Sequence, residues 1–173
     1  MGGLITYYVL FFIEIGSRRV SLGGITRHPD SCWMEQVARN ATMQGTGCLN
    51  KCRYLLHNHD RKFCCAFRNT LAAGGVKCLA LPARSPNLNS YAERWVRSIK
   101  EECLSRLILF GENSLRRVVS NYLHHFHHER NHQGKDNLLL FPTGVSAAPT
   151  QLTAVRCCER LGGLLKYYYS HAA

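Results

Sequence analysis

Apolar residues recur along this chain in two rhythms, one of alternating or continuous short runs and one of three- and four-residue steps, and the switches between them set out an order of elements. Tyr7 to Ile15 is a run of aromatic and β-branched residues, Gly16-Ser17 is turn chemistry, and Arg19 to Thr26 resumes a strand pattern, so the opening predicts a β-hairpin. His28-Pro29-Asp30-Ser31 then breaks the chain and offers a cap for a helix through about Thr42. Arg53 to His57 reads as a short strand. Asp60 to Ala73 reads as a helix closing at Gly74-Gly75, and Val76 to Leu81 as a strand closing at Pro82. Leu88, Tyr91, Trp95, Ile99 and Cys103 fall on one helical stripe, and Leu115, Val118, Val119, Tyr122 and Phe126 on another, in a helix starting at Asn113 or Ser114 and running to about Glu129. From Gly134 to Arg156 Gly, Pro, Thr and Ala interrupt every pattern. The end, Glu159 to Tyr169, is expected to be a small docked or fraying terminus.

Composition narrows the picture. The chain has 173 residues, 46% of them apolar, enough for one domain with a real core and a tail. A formal charge of +11 without a long Lys/Arg block points to a folded basic surface and a polyanionic partner, nucleic acid foremost. The apolar run Leu4 to Ile15 is too short to span a bilayer and has neither a basic leader nor a small-residue cleavage site, so neither a membrane segment nor a signal peptide is expected. Nine cysteines without regular pairing suggest reduced thiols and a cytoplasmic setting. Cys48 and Cys52, followed by His57 and His59, depart from zinc-ligand spacing. His124 and His128 share a helix face but have no third ligand nearby in sequence, so a polar helix face is the expected reading.

The stretch from Ser85 to Lys100 carries the most chemistry. Behind the Pro/Asn-rich segment Ser85-Pro86-Asn87-Leu88-Asn89, Glu93, Arg97 and Lys100 share the face opposite the apolar stripe, where a carboxylate can hold a divalent cation while neighbouring cations reach phosphate oxygens. An exposed Glu93–Arg97 ion pair is the plainer alternative. This helix and the order of elements from Tyr7 to Gln133 resemble the catalytic core of retroviral-type integrases and DDE-type insertion-sequence transposases. The resemblance implies an α/β fold of the ribonuclease H-like type, a mixed sheet flanked by helices, with a partial core over residues 1–133 and a poorly ordered connection and short terminal segment over 134–173. It also implies metal-dependent phosphodiester strand transfer on DNA with Mg2+ or Mn2+ held by three acids, of which Glu93 is one.

The other two acids do not fit that pattern. His57-Asn58-His59-Asp60-Arg61-Lys62-Phe63 resembles the family's His-Asp-Arg-Asp-x-Lys-Phe and puts Asn58 where the metal-binding Asp belongs, 35 positions before Glu93. A neutral amide supplies no charge to bring two hard cations together. Asp60 is a displaced substitute, about 6 to 7 Å further along an extended chain, or else the cap of the following helix. The family's first acid lies on a strand ahead of the hairpin, central in its sheet; this chain is expected to lack that strand and to be truncated there, and Glu14 is not its replacement. Without it, either another segment fills the gap, or the flanking strands pair directly, or the isolated chain folds poorly.

The expected function is thus an inactive integrase or transposase core that keeps a DNA-binding surface, self-associating or joining an intact transposase. A weak one-metal nuclease using Glu93 and Asp60, and a non-enzymatic scaffold, are the alternatives. Phosphate contacts are expected from Arg94, Arg97, Lys100, Arg61, Lys62, Arg130 and His132, the last two in an Arg-x-His-Gln segment like the family's, with Arg18-Arg19 and Arg116-Arg117 as further candidates.

Overall fold

The computed structural model describes residues 4–82, 89–142 and 155–170. The chain divides into two compact units, one formed by Met1–Ile13 and Val20–Ala92, the other by Glu14–Arg19 and Glu93–Ala173. Strands and helices mix in both, an α/β composition.

In the first unit, β1 (Tyr8–Ile13) and β2 (Val20–Thr26) pair antiparallel, with a register shift between Leu10 and Phe11. Gly24 pairs with Leu10 and Leu22 with Phe11, so Gly23 is the extra residue of a bulge. The two glycines let α1 (Ser31–Thr42) come close: a Cβ at Gly24 would stand 2.8 Å from the Trp33 ring, and one at Gly23 3.3 Å from Val37. Asp30 caps α1 as expected, its carboxylate accepting from the Trp33 N–H at 2.8 Å. Met34, Val37, Ala38 and Ala41, at helical spacing, form its buried face.

The parallel pair β3 (Tyr54–His57) and β4 (Lys77–Ala80) is joined by α2 (Cys65–Ala73), and Gly75 at φ 83° supplies the left-handed turn beyond that helix. Phe12, Val37, Ala38, Leu49, Phe67, Leu71 and Val76 belong to one core, with Leu55 and Cys78 packed against it from the second sheet. That sheet's other face leaves Tyr54, Leu56 and Leu79 exposed.

One expectation needs correction here. The helix placed from Asp60 or Arg61 starts only at Cys65, and its cap position is Cys64, which makes no side-chain capping bond. Asp60 instead closes a local turn: its Oδ1 accepts from the Lys62 N–H at 2.9 Å, while the Phe63 N–H donates to the Asp60 carbonyl. An Asp that bonds the backbone two residues on competes with helix initiation, and Phe63 is drawn onto the core before the helix begins. Of the three outcomes left open for the missing strand, direct pairing of the hairpin with β3 is not seen among the described residues. Among the described residues, β1–β2 and β3–β4 are separate two-stranded sheets.

The segment after α1 folds back so that the Leu49 N–H donates to the Ala41 carbonyl at 2.8 Å, and Gly47 lies against that same carbonyl. A Cβ on Gly47 would overlap the Ala41 oxygen and stand 2.6 Å from the Met43 nitrogen, both backbone atoms that cannot rotate away. Gly47→Ala is expected to lower stability by about 1 to 3 kcal/mol, as overpacking does. Urea midpoints of the two proteins check this, and equal midpoints would refute the close approach.

α3 (Ser90–Glu102), which belongs to the second unit from Glu93 on, supplies buried Trp95 and Ile99, a 3-10 turn follows at Leu104–Arg106, and α4 (Gly111–His128) packs alongside. Leu115, Val118, Val119, Tyr122 and Phe126 are all buried, as their spacing predicts. Trp95 meets Phe126 edge-on at 4.8 Å between ring centres and Tyr122 at 5.4 Å. In the sequence stripe, Tyr91 is 37% exposed, Cys103 is fully buried, and Leu88 lies outside the described residues. The terminal segment forms an antiparallel hairpin, β5 (Val155–Arg160) with β6 (Leu165–Ser170), around Leu161, Gly162 and Gly163, all at positive φ. Arg160 fastens this hairpin to the end of α4. The anchor is the buried Glu129, reached by Arg160 Nε at 2.9 Å and by Nη2.

Candidate functional site

The Glu93 helix is present and its polar face is open. Glu93, Arg94, Arg97 and Lys100 are exposed on α3. The Glu93–Arg97 ion pair does not form; among the described residues neither side chain has an ionic partner. The carboxylate and its cationic neighbours therefore all face outward, and the segment Ser85–Leu88 that precedes the helix lies outside the described residues.

Asn58 and Asp60 belong to the first unit, at the end of β3. His57 is buried there, its Nδ1–H donating to the Asn58 carbonyl at 2.7 Å and its ring 4.9 Å from Phe63. Asn58 is exposed, and its side-chain oxygen, the only atom through which an amide would ligate a hard cation, accepts from the Asp60 N–H at 3.2 Å. The Asp60 carboxyl is held below its ordinary range, chiefly by the Lys62 backbone N–H and further by the Lys62 ammonium 3.0 Å away. One neutral amide in a turn and one carboxylate already neutralised by a lysine are a poor donor set for two divalent ions. Among the described residues, no group of three His, Cys, Asp or Glu stands close enough to hold a metal.

The basic residues named from sequence fall into two groups. Arg94, Arg97, Lys100 and Arg61 are exposed, and Lys62 sits partly over the Tyr8 ring at 5.2 Å. Arg130 and His132 are built into the second unit's frame. The Arg130 guanidinium forks onto Glu102, Nε to Oε2 at 3.0 Å and Nη2 to Oε1 at 2.6 Å, and Glu102 also accepts from the Tyr122 hydroxyl at 2.8 Å. His132 is 6% exposed and donates Nε2–H to the Phe126 carbonyl at 2.8 Å. Burial first, then the nearby Arg130 and Arg18 charges, push its pKa below the ordinary value.

Sequence reasoning missed three features of this region. Glu102 and Glu129 are the carboxylates that organise it, and neither stood out, because their partners Arg130 and Arg160 are 28 and 31 residues away. His125 and His127 are buried on α4, among histidines of which only His124 and His128 were singled out from sequence. His124 and His128 do stand together, rings 4.8 Å apart, with His128 Nδ1–H donating to the Phe141 carbonyl. The third feature is the Glu14–Arg19 loop. Its Ser17 hydroxyl donates to Glu14, Arg19 lies over the Phe141 ring at 4.1 Å, and Arg18 Nη2 donates to the Gly134 carbonyl at 3.1 Å.

Residues 74–138 match the family model of the integrase core domain. The matched stretch holds β4, α3 and α4, hence Glu93, Arg94, Arg97, Lys100, Arg130 and His132, and covers well under half of the chain; Asn58 and Asp60 lie outside it. No curated protein and no solved structure matches the chain. The similarity supports an integrase- or transposase-type core over that stretch and a role connected with integration or transposition, where DNA is the partner of such domains. No helix among the described residues is long and apolar enough to cross a membrane.

Proposed function

We propose that this chain is a DDE-type integrase or transposase core of ribonuclease H-like ancestry that binds DNA and does not catalyse strand transfer. It acts in the cytoplasm, by itself, as a homo-oligomer, or in association with an intact transposase. The observation that carries the reading is the exposed face of α3, where Glu93 stands with Arg94, Arg97 and Lys100 inside the stretch similar to integrase cores. Those cations suit phosphate oxygens, and the net charge of +11 suits a polyanion. The inactivity rests on Asn58, whose amide stands where the resemblance calls for an aspartate and whose oxygen is engaged in a turn. Glu93 alone supplies too little negative charge for two-metal attack on a phosphodiester.

Fluorescence anisotropy and a cleavage assay with labelled duplex DNA in Mg2+ or Mn2+ test the two halves separately. Binding that weakens steeply with salt and leaves the DNA intact is expected for both the wild type and Glu93→Ala. Metal-dependent cutting by the wild type that Glu93→Ala loses would overturn the inactivity and establish the one-metal nuclease with Glu93 and Asp60. Absence of any binding at low salt would leave the non-enzymatic scaffold.

A further inference from the structure

In the first unit, α2 and the start of β4 border an open hollow of about 460 Å³, a volume in the range of about 300 to 1,000 Å³ usual for small-molecule sites. One wall is a single face of α2, on which Cys65, Arg68, Asn69 and Ala72 recur at helical spacing. The other is the segment that follows the left-handed turn at Gly75 and brings Lys77 and Cys78 back alongside the helix. Every charged side chain on the hollow is a cation. Arg68 and Lys77 are exposed, and among the described residues neither has a carboxylate partner. Two thiols border the same space. Cys65 is exposed, and its sulfur accepts from Asn69 Nδ2 at 3.5 Å. Cys78 is half-buried; burial pushes its thiol up, and the nearby Arg68 charge offsets only part of that.

An occupant that answers both the cations and the thiols carries carboxylates and a sulfur. We propose that the hollow is a site of reversible thiol modification, in which Cys65 forms a mixed disulfide with a small carboxylate-bearing thiol of the glutathione class. The Cys65 sulfur, as thiolate, attacks one sulfur of that compound's disulfide. A new S–S bond forms to Cys65, the old one breaks, and the departing thiolate takes up the proton that Cys65 released. The small disulfide is itself the oxidant. The Arg68 fork and the Lys77 ammonium receive the carboxylates of the bound half, which favours this adduct over one at an exposed cysteine without such neighbours. Cys78, set deeper and kept protonated, is not the attacking group. None of these residues belongs to the Glu93 face, and the inference is independent of DNA binding.

The test incubates the full chain with oxidised glutathione and follows each cysteine by peptide mass mapping. Cys32 and Cys157, also exposed, are comparison sites in the same molecule. The glutathionyl adduct is expected to accumulate first at Cys65 and to be reversed by dithiothreitol. Arg68→Gln and Lys77→Gln are each expected to slow modification at Cys65 by about two- to fivefold, what one exposed ion pair is worth, and to leave Cys32 and Cys157 unchanged. Cystamine, a disulfide of similar reactivity that carries amines in place of carboxylates, is expected to reverse the order, modifying Cys65 faster in the two variants than in the wild type. In urea the preference for Cys65 is expected to vanish, because it belongs to the folded hollow. Equal rates at Cys65, Cys32 and Cys157 in the folded chain would overturn the site, as would variants that treat glutathione disulfide and cystamine alike. A Cys65–Cys78 disulfide formed in place of the adduct would also overturn it.

Discussion

Trp95→Ala is expected to lower the stability of the second unit by about 3 to 5 kcal/mol, the range for deleting a large buried aromatic. Trp95 is 4% exposed and its indole packs against the buried face of α4, edge-on to Phe126 and tilted against Tyr122. Those neighbours cannot close the space. The Tyr122 hydroxyl is fixed on Glu102, which is fixed in turn by Arg130, while the Phe126 carbonyl is held by His132. A cavity that its walls cannot fill retains both the transfer and the packing loss. Tyr91→Ala, one turn earlier on the same sequence stripe but 37% exposed, is expected to cost less than about 1 kcal/mol. Circular-dichroism melts and urea midpoints of the two variants measure the contrast, and similar losses in both would refute the assignment of Trp95 as the contact. Trp95 anchors the helix that presents Glu93 and Arg94 to solvent together with Ile99 and Glu102, so Trp95→Ala is also expected to weaken DNA binding without altering a charge.

What the sequence displayed and what it concealed separate by distance along the chain. Asp30 capping α1, the buried spacing of Met34, Val37, Ala38 and Ala41, and Gly75 at the turn after α2 are decided by residues within a few positions of each other. The Glu93 helix was legible for the same reason. Asp60 shows where local reading divides: an Asp before an apolar run serves equally as a helix cap or as the acceptor of its own turn, and Lys62 and Phe63 settle the outcome. Sheet membership is not local at all. Nothing in the letters of β1 or β3 states which edge finds a partner, and among the described residues the strands close into three pairs. The buried histidines were concealed for a related reason. A polar side chain enters a core only when a distant group satisfies it, and Glu129 beside His125 is itself made tolerable by Arg160 from β5.

Those histidines make the second unit sensitive to mild acid. His127 is 8% exposed, set edge-on against Phe126 and Phe141 and facing the charges of His128, Arg19, His132 and His124. Burial first, and then those cations, push its pKa down from 6.5 to about 4. Between these values the unfolded chain binds a proton that the folded chain refuses, so folding stability rises with pH across the window and is lost as pH falls from about 6.5 towards 4. The loss from this group is up to about 3 kcal/mol. His124 and His132 are displaced in the same direction, both chiefly by burial, and act with the same sign. Glu129 extends the effect to lower pH. Burial by itself would raise its carboxyl, but the hydrogen bonds from Arg160 and His125 outweigh that and hold it below the ordinary range. Its stabilisation is present above the ordinary carboxylate range and disappears as pH falls through the depressed value. Urea midpoints measured from pH 7.5 down to 4.5 are expected to fall steadily. His127→Phe, which keeps a ring between Phe126 and Phe141, is expected to remove a substantial part of that slope while leaving the rest to His124 and His132. A wild-type midpoint unchanged over this range, or a His127→Phe slope equal to that of the wild type, would refute the buried neutral imidazole as the source of acid sensitivity.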